Sequence, residues 1–221
     1  MRAMILAAGK GSRLAPLTDS TPKPLLPVLD EPLIFTILNQ LKLAGVRDMV
    51  INTHHLAEQI ESALGDGESV GMRIRYSRET DLLETGGGIK KALPLLRDPI
   101  FWLCNGDIYC DFDFTKLPLH LGGSDLAHLV LVPKPSRRET GDFSFSNGRI
   151  TARGGDYVYG GIATLHRDLF APSPDGAFSL RDLLFQAVAQ GKVAAQVHTG
   201  DWTDIGTLAD YHRISGSANA P

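Results

Sequence analysis

Two glycines, Gly9 and Gly11, punctuate the segment Leu6-Ala7-Ala8-Gly9-Lys10-Gly11-Ser12-Arg13-Leu14, which follows a short apolar run. Glycines in such a place permit tight turns and let backbone N–H groups come close to an anion. A dinucleotide fingerprint is excluded. Leu14 stands where G-x-G-x-x-G requires Gly or Ala, and Pro16, Pro22, Pro24 and Pro27 follow in place of a helix. The Walker pattern G-x-x-x-x-G-K-[ST] is absent from the chain. Two cations lie close by, Arg13 and Lys23, the second held between Pro22 and Pro24. Arginine offers a planar fork and lysine a point charge, a pairing suited to a polyphosphate, and the prolines restrict the backbone around Lys23. A solvated surface loop would carry the same residues, so the reading depends on what stands downstream.

Downstream stand carboxylates. Asp107 follows an apolar strand directly, at the carboxyl edge where open α/β sheets place ligands. Asp204 lies in Trp202-Thr203-Asp204-Ile205-Gly206-Thr207, just after the last expected strand. Two carboxylates at strand ends suit a divalent ion such as Mg²⁺ that also binds phosphate oxygens. Asp111 and Asp113 compete for that role, and a lone Asp after a strand also serves as a turn or helix cap. Glu84-Thr85-Gly86-Gly87-Gly88 opens a helical stretch, and its glycines are expected to leave backbone groups free for a base edge or a phosphate. His54 and His55 are adjacent and lack metal-ligand spacing, so both read as structural. Ser12 has no nucleophile elbow around it, which disfavours covalent catalysis.

The elements that must position these residues alternate. Strands are expected at Ala3–Ala7, Asp48–Asn52, Met72–Tyr76 and Ile100–Cys104, with helices at Pro32–Ala44, Leu56–Leu64 and Gly88–Leu96 between them. That βαβαβαβ series implies a mostly parallel sheet covered on both faces. The second half differs. Strands are expected at Ala127–Pro133, Tyr157–Leu165 and Val193–Thr199, and Asn147-Gly148 marks a hairpin between Asp142–Ser146 and Arg149–Ala152. Helices close the chain at Ser179–Gln190 and Thr207–Ile214, and the tail from Ser215 is expected to fray. The fold class is therefore α/β, a Rossmann-like mixed sheet between helices, and residues 1–221 read as one domain.

Composition removes several classes of function. With 22 Lys+Arg against 25 Asp+Glu the net charge is −3, which argues against a nucleic-acid partner. No apolar stretch approaches a membrane span, and the run Met1–Ala8 is too short for a signal-peptide core, so a cytoplasmic location is expected. Cys104 and Cys110 alone make neither a disulfide framework nor a zinc pattern. The 23 glycines exceed the average share and suggest backbone brought close to a ligand.

Taken together, the glycine segment, Pro16-Leu17-Thr18, Pro22-Lys23-Pro24-Leu25-Leu26-Pro27-Val28, Asn105-Gly106-Asp107 and the Asp204 motif resemble the signature of the sugar-phosphate nucleotidylyltransferases. Leu83–Gly88 and Gly141-Asp142-Phe143 are similar to the short uridylyltransferases that act on N-acetylmuramate 1-phosphate in peptidoglycan recycling. The resemblance implies a nucleotide-diphospho-sugar transferase fold and a reaction of a nucleoside triphosphate, UTP, with a sugar 1-phosphate. The products are a nucleotide sugar and pyrophosphate. It implies backbone at Ala8 and Gly9 meeting the nucleoside, Gly11, Ser12 and Arg13 the triphosphate, and Thr85 and Gly86 the base. It places Lys23 at the reacting phosphates, Asp107 and Asp204 on Mg²⁺, and Asn105, Gly141 and Gly161 near the sugar. Arg13, Lys23 and Asp107 would carry the catalysis. Many relatives have a second lysine in a Glu-Lys-Pro motif; here Arg149–Asp156 contains none, and Arg153 is the candidate to replace it. The alternatives are a guanylyl- or thymidylyltransferase for mannose or glucose 1-phosphate, and a non-catalytic nucleotide-sugar-binding subunit.

Overall fold

The computed structural model of the chain describes residues 1–216. Its first strand, β1 (Arg2–Leu6), is apolar at every central position, as a strand covered on both faces must be. β2 (Asp48–Thr53), β3 (Arg73–Arg78) and β4 (Ile100–Asn105) run parallel to it. The other strands of the main sheet are β5 (Ala127–Pro133), β6 (Phe143–Ser146), β7 (Arg149–Arg153), β8 (Tyr157–His166) and β9 (Val193–Val197). Nine strands lie in the order β3-β2-β1-β4-β8-β5-β9-β7-β6. β8 enters antiparallel to β4 and β5, and β9 runs parallel to β5, so the sheet is mixed as expected. The β6–β7 hairpin turns at Asn147 and Gly148, both with positive φ, as a two-residue turn of the primed type demands.

Helices α1 (Leu33–Leu43), α2 (Ala57–Leu64), α3 (Glu84–Leu96), α4 (Leu180–Ala189) and α5 (Leu208–Ile214) cover the sheet. The period-two alternation of β1 sorts them. Ala3 and Ile5 point to one face, with Leu33, Ile37 and Leu41 of α1 and Ile60 of α2. Met4 points to the other, with Ile89 and Leu96 of α3 and Leu180 and Leu184 of α4. Trp102, fully buried in β4, packs on the first of these faces. Ser179 and Thr207 are the N-caps of α4 and α5 and accept from backbone N–H groups of the first turn, so both helices start where the sequence expects. Among the described residues no helix is long and apolar enough to cross a membrane. Most of the expected tail lies outside the described residues.

Two features position the site. The strand order reverses at β1: β2 and β3 build outward on one side, and β4 on the other. This is the topological switch point, where the loops after β1 and β4 splay apart and leave a crevice. The second feature is a separate two-stranded ribbon, Ile108–Cys110 against Trp202–Asp204. It pairs Asp204 with Ile108, next to Asp107.

Candidate active site

The crevice at the switch point is a cleft of about 220 Å³. Ala7, Ala8 and Gly9 form one wall, Leu82, Glu84 and Thr85 the opposite wall, and Lys23, Asn105 and Asp107 one end. Gly11, Ser12 and Arg13 continue the loop outside those walls. Gly11 has φ +66° and lies against Thr18 and Lys23; a Cβ there would stand 2.8 Å from Thr18 Cγ2. The buried Thr18 hydroxyl donates to the Gly11 carbonyl at 2.9 Å and holds the loop in place. The Pro-rich stretch after it forms a 3₁₀ turn at Lys23–Leu25, with Leu25 N–H donating to the Pro22 carbonyl. Pro24 is buried beneath it, so the turn presents Lys23 to the cleft rather than to bulk solvent.

Lys23 Nζ reaches Asp107 Oδ2 at 2.7 Å, with only 11% of the lysine side chain exposed. Asp107 is carried across the end of β1 by Gly106. The Gly106 N–H donates to the Leu6 carbonyl, and a Cβ at this position would stand 2.6 Å from that oxygen. The ribbon then delivers Asp204, and Ile205 N–H donates to the Asp107 carbonyl at 2.9 Å to close the strap. Burial, and the Asp107 charge after it, push the Asp204 carboxyl above the usual carboxylate range, while Lys23 and Arg13 partly offset them. Asp204 Oδ1 is buried without a hydrogen-bond partner among the described residues. The guanidinium of Arg13 packs on Gly206, where an added Cβ would lie 3.4 Å from Nη1 and Nη2. The fold therefore brings Arg13, Lys23 and Asp107, from separate segments, within electrostatic reach of Asp204, with Lys23 and Asp107 at the end of the crevice. An orphaned carboxylate oxygen between a second carboxylate and two cations fits a divalent ion bound together with phosphate.

Asp107 and Asp204 also line a second cleft of about 120 Å³, together with Asn105, Arg137, Arg138 and Gly161. A third, of about 240 Å³, joins Thr85 and Asn105 to Arg138, Asp142 and Tyr159. Asn105 borders all three. Gly161, at φ +80° beside the bulge of β8, leaves room for it, since a Cβ would stand 3.1 Å from Asn105 Nδ2. Arg138 is braced by Asp142 at 3.1 Å and Arg137 by Asp210 at 3.5 Å. The Tyr159 hydroxyl, on the border of the second and third clefts, is buried without a partner among the described residues.

Several expectations need correction. Glycines 86 to 88 do not all leave free backbone: Gly86 N–H and Gly87 N–H both donate to the Phe178 carbonyl. Helix α3 begins at Glu84 rather than Gly88, and these glycines let it pack closely. A Cβ on Gly86 would collide with the Phe178 ring, and one on Gly87 with the Gly176 carbonyl. The amides left without a helical acceptor at the cleft are those of Glu84 and Thr85. Arg153 does not reach the carboxylates. It stacks on Phe185 at 3.9 Å from the ring centre and lines a separate groove. The cations that share the second cleft with Asp107 and Asp204 are Arg137 and Arg138. Gly141 borders the Arg153 groove too, and its missing side chain accommodates the Tyr157 backbone. Asp113 caps the turn at Phe114–Lys116 and Asp111 pairs with His198 at 2.9 Å, so neither competes for the crevice. His54 and His55 bind backbone carbonyls, of Glu79 and Thr18, in agreement with a structural role.

Residues 2–143 match the Nucleotidyl transferase family model. An N-acetylmuramate alpha-1-phosphate uridylyltransferase of Neisseria meningitidis is 42% identical over all of this chain and 99% of its own. The enzyme so named in Caulobacter vibrioides is 34% identical over 92% of this chain and 91% of its own. Among solved structures, HddC from Yersinia pseudotuberculosis, crystallised with GMP-PN, superposes with a TM-score of 0.81 at 24% identity over 99% of both chains. This last likeness supports the nucleotide-diphospho-sugar transferase fold.

Proposed function

The chain belongs to the nucleotidyl transferase family and is a sugar 1-phosphate nucleotidyltransferase, and from that premise we propose that it joins UTP to N-acetylmuramate 1-phosphate. The products are UDP-N-acetylmuramate and pyrophosphate. One observation carries the chemistry: Lys23 and Asp107 pair at the end of the crevice, and Asp204 lies within electrostatic reach of both and of Arg13. Both full-length relatives described above bear the name of that uridylyltransferase, which supports the choice of substrates.

A phosphate oxygen of the sugar attacks the α-phosphorus of the triphosphate in line. The bond to the bridging oxygen breaks, and pyrophosphate leaves on the far side. The attacking phosphate is already an anion near neutral pH, so no protein base has to remove a proton. The barrier lies in bringing two polyanions together, and positioned charge is what lowers it. The glycine loop places amides along the triphosphate, and Lys23 neutralises charge at the reacting phosphates. Arg13, packed on Gly206 two residues after Asp204, favours the departing pyrophosphate. Asp107 and Asp204 would hold Mg²⁺, which when bound supplies charge neutralisation at the α-phosphate. No third His, Cys or acidic group joins them among the described residues, so phosphate and water would complete the shell, as this ion prefers. Asn105 and Gly161 shape the sugar side. There Arg138 and the unpartnered Tyr159 hydroxyl are suited to an acceptor with a carboxylate and hydroxyls.

Initial rates of pyrophosphate release test this, with UTP, dTTP, CTP and GTP each supplied with N-acetylmuramate 1-phosphate or glucose 1-phosphate. UTP with the muramate is expected to be fastest. A preference for GTP would overturn the base assignment. Equal use of glucose 1-phosphate would overturn the acceptor assignment and leave the class of reaction standing.

A further inference from the structure

At the back of the nucleotide cleft, where Asn52 forms part of the lining, lies a polar relay that runs from there into the core. Asn52, in β2, is 2% exposed, and Glu79, directly after β3, is 3% exposed. Ala7 N–H donates to Asn52 Oδ1 at 2.8 Å, Asn52 Nδ2 donates to Glu79 Oε1 at 2.7 Å, and Leu83 N–H donates to Glu79 Oε2 at 2.9 Å. The backbone donor at Ala7 fixes which way the Asn52 amide points. Each end of the relay lands on a wall of the cleft: Ala7 opens the glycine loop, and Leu83 precedes Glu84 and Thr85. Glu84 is a non-glycine residue at φ +57°, a conformation that persists only where its surroundings hold it. Gly88 makes the relay possible, because a Cβ there would stand 2.6 Å from Glu79 Oε1 and 2.8 Å from Asn52 Nδ2. A fold seeking only stability would fill this space with apolar side chains, since burying a carboxylate and an amide carries a desolvation penalty.

We infer that Asn52 and Glu79 are a positioning pair that sets the separation of the two cleft walls, and through it the grip on the nucleoside. The inference rests on the nucleotide reading of this cleft. Asn52 borders the cleft at its back, away from Lys23 and Asp107 at its end, and the pair acts through the amides of Ala7 and Leu83 that it holds. Selectivity for nucleotide over sugar follows from the topology, because the relay ends on the β1 and α3 walls and has no contact with Arg137, Arg138 or Asp204.

The hydrogen-bond polarities supply a specific test. In Glu79→Gln one acceptor faces two donors, from Asn52 and Leu83. In Asn52→Asp the donor between the two side chains is lost and two carboxylates face each other. In the double variant Asn52→Asp/Glu79→Gln every bond is restored in reverse. The carboxylate at position 52 accepts from Ala7 and from the amide at position 79, whose oxygen accepts from Leu83. Net charge and volume are conserved. Each single variant is expected to raise KM for UTP, and its dissociation constant by calorimetry, by about tenfold or more, the scale of a lost charged hydrogen bond. KM for the sugar phosphate should stay within about twofold, and the double variant should return to near the wild-type UTP value. Unchanged UTP affinity in folded single variants overturns the inference, and so does a folded double variant no better than the singles. Should the single variants not fold, the double variant decides alone: it must fold and bind UTP as wild type does. Failure of the wild-type protein itself to bind UTP would instead overturn the reading of the cleft.

Discussion

Lys23→Ala, set against Lys10→Ala, tests the charge-neutralisation argument most directly. The Lys23 amine lies 2.7 Å from Asp107, and its side chain is 11% exposed. Lys10 is exposed between two glycines. Removing the Lys23 amine takes one charge-assisted donor from the reacting phosphates, worth about 1.5–3 kcal/mol, or about 10- to 150-fold in kcat/KM. A second effect points the same way: Asp107 keeps its charge and faces the incoming triphosphate without a neutralising partner. Two unit charges about 4 Å apart at an effective dielectric of about 20 interact by about 4 kcal/mol, which sets a ceiling near a thousandfold. Stability should change little. Asp107 is 36% exposed, so the pair contributes at most about 1 kcal/mol, equivalent to a few degrees in Tm. The assay is continuous pyrophosphate release at saturating sugar phosphate with UTP varied, alongside thermal melts. Lys23→Ala should lose about 10- to 150-fold in kcat/KM, and Lys10→Ala less than about threefold. Equal and small losses from the two variants would refute the argument. A large loss accompanied by a collapse in Tm would show that Lys23 serves the fold instead.

Two further outcomes follow from the charges. Asp204→Asn should cost at least about 10- to 100-fold in turnover, yet raise Tm in the presence of a chelator. The native carboxyl titrates above its unfolded value, so as pH rises through that interval the folded state loses stability, which the amide avoids; an unchanged or lower Tm at neutral pH would contradict this. Burial lowers His128 below its ordinary value of 6.5, and Gln196 beside it only partly offsets the effect. The neutral ring therefore contributes stability above about pH 6.5 that is lost as pH falls through the folded value, and His128→Gln should flatten the acid side of the unfolding free-energy profile. An acid limb as steep as that of the wild type would refute it.

Whatever depends on neighbours in sequence is legible in the residues themselves. The apolar run that ends at Gly9 and the helical spacing of Leu33, Ile37 and Leu41 carry their own periods. So does the Asn147-Gly148 turn, because turn and helix chemistry act over a few residues. Lys23 between prolines and Asp107 at a strand end were visible for the same reason. What the sequence could not disclose are relations across the chain. The ribbon that carries Asp204 to Asp107 consists of two three-residue strands about a hundred positions apart, too short to show any period. Gly86 and Gly87 looked like open backbone because Phe178, which takes their amides, lies some ninety residues away. Arg153 looked like a site residue because no local signal says which groove a hairpin strand will border. Glu79 carries no mark of burial in its own segment; only the parallel register of β2 and β3, together with the space left by Gly88, sets it against Asn52. Periodicity encodes elements, whereas sheet order and register decide which carboxylates, cations and amides meet, and those are properties of the folded chain alone.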